Sequence, residues 1–117
     1  MAKLFLLKPD FTDKNRDANA KYFCPENALI NGIVNYYPKL KELLEINYID
    51  FERPRKNLVK LVGEENQGCP NLVLSKKEID DNTDVSYFGS FEQNLFVNDP
   101  LLIAKYLSEK YKIGIAH

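Results

Sequence analysis

One histidine and two cysteines are all that 117 residues supply, and this scarcity is the first constraint on the chemistry. No zinc cage can be built from Cys and His alone with so few, because a structural site needs four such ligands. The histidine is the last residue, His117, at a terminus where chains are commonly disordered. A Ser-His-Asp set, and hydrolysis of that kind, is therefore not expected. Long apolar runs are missing too. None approaches the roughly 18 residues of a membrane span, so no membrane partner is expected. Nor is there an excess of charge of one sign, since 16 basic residues face 17 acidic ones. A protein that grips a nucleic acid backbone needs clustered positive surface, and nucleic acid is set aside as a partner. The chain has no repeat, no low-complexity tract and no Pro/Gly/Ser linker, so one domain over residues 1–117 is expected. Met1 to Pro9 holds a four-residue apolar run, where a signal peptide needs about 7–15. The expected location is the cytoplasm, in which Cys24 and Cys69 are free thiols by default.

What is present, 44% hydrophobic residues, is enough for a folded core. Lys3–Lys8 reads as a buried strand stopped by Pro9. Residues 10–22 are polar and read as a loop, longer than the usual connection of about 4–6 residues. Cys24-Pro25-Glu26 opens a helix, with proline at the first helical position and an acid at the positive end of the dipole. Ala28, Leu29, Ile33 and Tyr36 fall along one face of it, Gly32 is placed for close packing, and Pro38 ends it or kinks it near its end. Ile46, Tyr48, Ile49 and Phe51 form a second strand. Pro54 is a candidate first-turn proline for a helix carrying Leu58, Val59, Leu61 and Val62, stopped by Gly63. Asn71–Leu74 is a third strand, and Asn94–Val97 a fourth. Ser75–Asp84 is loop-like. Val85–Phe91 is aromatic: Tyr87, Phe88 and Phe91 either fold back over the sheet or form an exposed patch that drives self-association. Asn98-Asp99-Pro100 starts a last helix, to about Tyr111. The order is β-α-β-α-β-β-α, with parallel crossovers through the two helices and an antiparallel pair of strands before the last helix.

Two cysteine positions carry the chemistry. Cys24 lies at a helix N-terminus, where unpaired N–H groups and the dipole favour a thiolate. Lys21 assists this and Glu26 opposes it. Cys69-Pro70 enters a strand, and its X-Pro bond is a candidate cis peptide. This pattern resembles the thioredoxin-like fold, in which a cysteine motif after the first strand faces a cis-proline before the third. Asp99 to Leu107 resembles the end of a glutathione transferase N-terminal domain. The set Lys8-Pro9, Phe23-Cys24-Pro25, Arg53-Pro54-Arg55, Gly63-Glu64, Asn66-Gln67 and Cys69-Pro70 is similar to an uncharacterised bacterial family of thioredoxin-like domains, related to glutaredoxins.

The resemblance implies an α/β thioredoxin-like fold with a mixed four-stranded sheet and a cis Pro70. A dithiol motif is Cys-x-x-Cys, but here it reads Cys24-Pro25-Glu26-Asn27, so Asn27 leaves Cys24 without the usual partner. The resemblance places Cys69 near Cys24, as a non-local replacement for the missing thiol. By the same resemblance Pro70, Gln67, Asp99 and Tyr22 are candidate contacts for a glutathione-type ligand, although Pro100 stands where glutathione transferases have a donating serine. Arg53, Arg55 and Lys56 form a candidate anion site or a solvated helix end. No metal or tightly held cofactor is expected. Two functions remain open: a thiol-disulfide oxidoreductase or glutathione-type binder, taking glutathione or a protein thiol as partner, and a catalytically silent scaffold. The chain is expected to be a monomer or a homodimer.

Overall fold

The computed structural model describes residues 1–117. Its first strand, β1 (Lys3–Leu7), buries four of five side chains, because helices cover both faces of the sheet around it. Then follow α1 (Pro25–Tyr36), the short α2 (Leu40–Leu43), β2 (Glu45–Ile49), α3 (Lys56–Val62), β3 (Asn71–Ser75), β4 (Gly89–Phe91), β5 (Asn94–Val97) and α4 (Pro100–Tyr111). Single 3₁₀ turns at Glu64–Asn66 and Lys76–Glu78 link α3 to β3 and follow β3. The sheet runs β2-β1-β3-β5-β4. The radius of gyration, 14.4 Å, is near the roughly 13 Å of a 100-residue domain.

Alternation along the strands divides the core. Leu4, Leu6, Leu72, Leu74 and Val97 point to the face covered by α1 and α4, where they meet Ile30, Val34, Ile103 and Leu107. Phe5, Val73 and Phe96 point the other way, onto Leu58 and Val62 of α3. A strand buried on both faces reads as a continuous apolar run, which is why Leu4-Phe5-Leu6-Leu7 shows no alternation in sequence.

Several expectations are corrected. The sheet has five strands rather than four: Gly89–Phe91 pairs antiparallel with β5 across a two-residue turn, where Glu92 takes φ 51°. Only the first crossover is parallel, β1 with β2; β3 is antiparallel to β1. The reason is length. Seven residues of α3 advance about 10 Å, and the loop 63–70 brings the chain back to the end of the sheet where β2 stopped. Asn71 thus enters opposite Phe5 and runs backwards along β1.

The inward face of α1 is Asn27, Ile30 and Val34. Ala28 lies outside, Leu29 and Tyr36 are 47% and 85% exposed, and Ile33 is half-buried. A Cβ on Gly32 would meet nothing within 4 Å, so that glycine serves no close packing. The second strand stops at Ile49, before Phe51. Pro54 precedes α3 rather than opening it; the Arg53-Pro54 bond is cis and Arg55 is the N-cap. Cys69-Pro70 is cis. Tyr87 and Phe88 pack against the larger core and Phe91 against the smaller.

Candidate functional site

The C-terminal ends of β1 and β2, the start of β3 and the start of α1 share one end of the sheet. Cys24 is the N-cap residue of α1, with extended backbone (φ −90°, ψ 119°) and no cap bond from its side chain. Its carbonyl accepts from Ala28 N–H at 3.0 Å, so the helix is anchored while the half-buried thiol stays free. Pro25 and Glu26 in the first turn are exposed, as is Lys21.

Asn27, inside the first turn, joins the site together. Its Oδ1 accepts from Leu7 N–H at 2.9 Å, and its Nδ2 donates to the Cys69 carbonyl at 3.1 Å. With 4% of its surface exposed, this side chain ties the end of β1 and the turn before Pro70 to the start of α1. Asn71, fully buried, holds that turn from the other side, its Nδ2 donating to the carbonyls of Asn66 and Gly68 at 3.1 and 3.0 Å.

Arg55 and Gln67 close the loop further. Gln67 Oε1 accepts from Arg55 N–H at 2.8 Å, and its Nε2 donates to Glu64 O at 2.9 Å. Arg55 Nη1 donates to Gln67 O at 2.8 Å, while Nε and Nη2 donate to Phe51 O at 3.0 and 2.6 Å. The Cys69 thiol also turns to Gln67 O, at 3.9 Å. Burial pushes the Cys69 thiol up to about 11, against the pull of the Arg55 guanidinium beside it. Burial draws Arg55 downward, opposed by charge on Cys69 and, less, on Cys24. A guanidinium remains protonated in proteins, so Arg55 is a fixed cation and Cys69 a thiol at neutral pH.

Cys24 sits between two clefts. One, about 170 Å³, includes Leu6, Pro9, Phe23, Asn31 and Tyr48, with Tyr48 OH donating to Asn31 Oδ1 at 2.6 Å. The other, about 220 Å³, includes Phe11, Arg16, Tyr22, Phe23 and Phe51. Phe11 and Phe51 stack there with centroids 4.2 Å apart and planes 4° from parallel. Backbone bonds between Phe11 and Tyr22 pin the long loop at its base. Phe23, 61% exposed, forms the ridge between the clefts.

Of the residues singled out by sequence, Cys24, Cys69, Pro70 and Gln67 are brought to this end, and Tyr22 lines the cleft beside Cys24. Gln67 spends its amide on the fold. Asp99 caps α4, its Oδ1 accepting from Leu102 N–H at 3.0 Å. Arg55 is buried rather than solvated, whereas Arg53 and Lys56 are exposed. No three His, Cys, Asp or Glu side chains gather closely enough to hold a metal ion, and no helix is long and apolar enough to cross a membrane.

The family comparison covers residues 1–115. The chain belongs to the DUF3088 family, proteins of unknown function. No curated protein and no solved structure matches this DUF3088 chain. Sequence reasoning about it missed Asn27 and Asn71 as interior clamps. The signal for Asn27 was its spacing, since Asn27, Ile30 and Val34 lie three and then four apart on one helical face.

Proposed function

We propose that this protein is a thioredoxin-like, thiol-dependent oxidoreductase or glutathione-type ligand binder, acting in the cytoplasm through Cys24. Cys69 is the second thiol of the site, and glutathione or a protein thiol is the partner. The observation that carries the reading is the Asn27 bond to the Cys69 carbonyl. It holds the turn at Cys69-Pro70 against the helix start that carries Cys24. Support also comes from the sheet order. The chemistry is thiol–disulfide exchange, in which a thiolate attacks a disulfide sulfur through a mixed disulfide. The exposed ridge at Phe23 and the clefts beside it give an apolar partner a surface next to the sulfur.

The scaffold reading draws on a different observation: Asn27 fills the position of the missing thiol with a structural clamp, and Cys69 is held protonated. Alkylation separates the two. Under the oxidoreductase reading, iodoacetamide at pH 7.5 modifies Cys24 at least ~10-fold faster than it modifies free cysteine, since the rate follows the thiolate fraction. Oxidised glutathione then blocks Cys24, and dithiothreitol restores it. Modification of Cys24 no faster than that of free cysteine, with no block by oxidised glutathione, measured by peptide mass spectrometry, would establish the scaffold instead.

A further inference from the structure

Arg55 is the only charged residue among the buried ones, at 8% exposed. No carboxylate balances it: the ion pairs of the molecule are Met1–Glu78, Lys3–Glu45, Lys8–Asp50, Arg16–Asp13 and Lys110–Asp80. Buried charges are normally paired or they are costly to keep. Three of its five N–H donors go to two carbonyls, Phe51 O and Gln67 O. These are dipoles and carry no net charge. The Cys69 thiol converges on the same Gln67 carbonyl at 3.9 Å, so sulfur and guanidinium share one acceptor. Of the nearby acids, Glu52 is exposed, and Asp13 is occupied by Asn15 N–H and Arg16.

We propose that Arg55 is the fixed counter-charge of the Cys69 sulfur, holding the thiolate that Cys69 forms when it resolves a mixed disulfide on Cys24. The inference rests on the oxidoreductase reading above and adds a residue to it. A low-molecular-weight disulfide, RSSR, is the oxidant. The Cys24 thiolate attacks one of its sulfurs, the S–S bond breaks, and RS⁻ leaves and takes a proton from water. Cys69 gives its proton to solvent, and its thiolate attacks the Cys24 sulfur, expelling the second RS⁻. Two electrons pass from the two protein thiols to RSSR, giving a Cys24–Cys69 disulfide and two RSH. Arg55 acts in the second attack and, in the reverse direction, on Cys69 as the leaving sulfur. Burial works against charge on Cys69, and that is the barrier the guanidinium lowers.

The test uses the full chain with Cys24→Ser, so that Cys69 is the only thiol, and 2,2′-dipyridyl disulfide, a neutral probe that the cation does not attract. Arg55→Met is expected to slow modification of Cys69 at pH 8 at least ~10-fold, the effect of one pKa unit on the thiolate fraction. Arg55→Lys, which keeps the charge, stays within ~3-fold of the parent. Equal rates for parent and Arg55→Met overturn the inference. Circular dichroism shows whether Arg55→Met is folded. If it is not, the ¹³Cζ resonance of Arg55 in the Cys24→Ser chain decides. It moves when Cys69 ionises if the two are coupled, and a resonance that stays fixed overturns the inference. Whether the wild-type chain forms a Cys24–Cys69 disulfide in oxidised glutathione is read separately by mass. Failure there removes the oxidoreductase reading and leaves the Arg55 effect on Cys69 measurable.

Discussion

At the scale of single residues the site is an interior polar framework with two sulfurs at its edge. Asn27, Arg55, Gln67 and Asn71 are its buried polar members, and all four spend side-chain donors on backbone carbonyls. Such groups are expensive to orphan, because a buried donor or acceptor without a partner loses about 1–3 kcal/mol. Asn27→Ala removes the partner of Leu7 N–H and frees the Cys69 carbonyl. It is expected to lower stability by that amount in urea unfolding and to speed alkylation of Cys69 several-fold as the turn loosens. A stability loss with an unchanged Cys69 rate would show that the clamp acts on β1 alone. Cys24 was legible in the sequence because proline and an acid follow it at a helix start. The framework was not, since Arg55 and Gln67 are twelve positions apart and nothing local in either residue announces a shared interior.

Secondary elements were legible in proportion to their punctuation. Asp99-Pro100 marked α4 to the residue, because cap and first-turn proline are local chemistry. Asp99→Ala is expected to cost about 0.5–2 kcal/mol in thermal or urea unfolding, the usual worth of such a cap; no loss would mean that the carboxylate is held for another purpose. The third strand and β1 were equally clear. The hairpin of β4 and β5 was half missed, since its turn is Glu92-Gln93 and lacks the Asn-Gly or Asp-Gly signal. Both apolar stripes of α1 have helical spacing: Leu29, Ile33 and Tyr36 on one side, Ile30 and Val34 on the other. Tertiary packing chose the second, which also turns Asn27 inward to the ends of β1 and β3.

For the molecule as a whole, the buried and half-buried titrating groups set how it responds to base. Burial pushes Cys69 up to about 11 from an ordinary value near 9, and Tyr87 up to about 12. Tyr106 and Tyr111 are raised as well, also by burial. A group whose folded value lies above its unfolded one keeps its full stabilising effect below the unfolded value. It loses that effect as pH climbs through the folded one. Stability should therefore hold below about pH 9 and fall above it, with Cys69 accounting for up to ~2–3 kcal/mol of the loss by pH 11. Urea midpoints taken across this range in wild type and Cys69→Ser check the assignment. The variant should show a shallower fall between pH 9 and 11 and the same steep fall beyond. Identical curves would assign the whole loss to the tyrosines.

β1 lies between β2 and β3, and these neighbours come from residues 45–49 and 71–75. During synthesis, then, the stretch Leu4-Phe5-Leu6-Leu7 leaves the ribosome long before either flanking strand exists. At about 5–20 residues per second, it waits several seconds as an oily, sticky segment. The helices that precede β2 are α1 and the short α2, and of these α1 emerges first. The order of emergence thus makes α1 the first long helix available to shield that stretch, and on the Leu4 and Leu6 face alone.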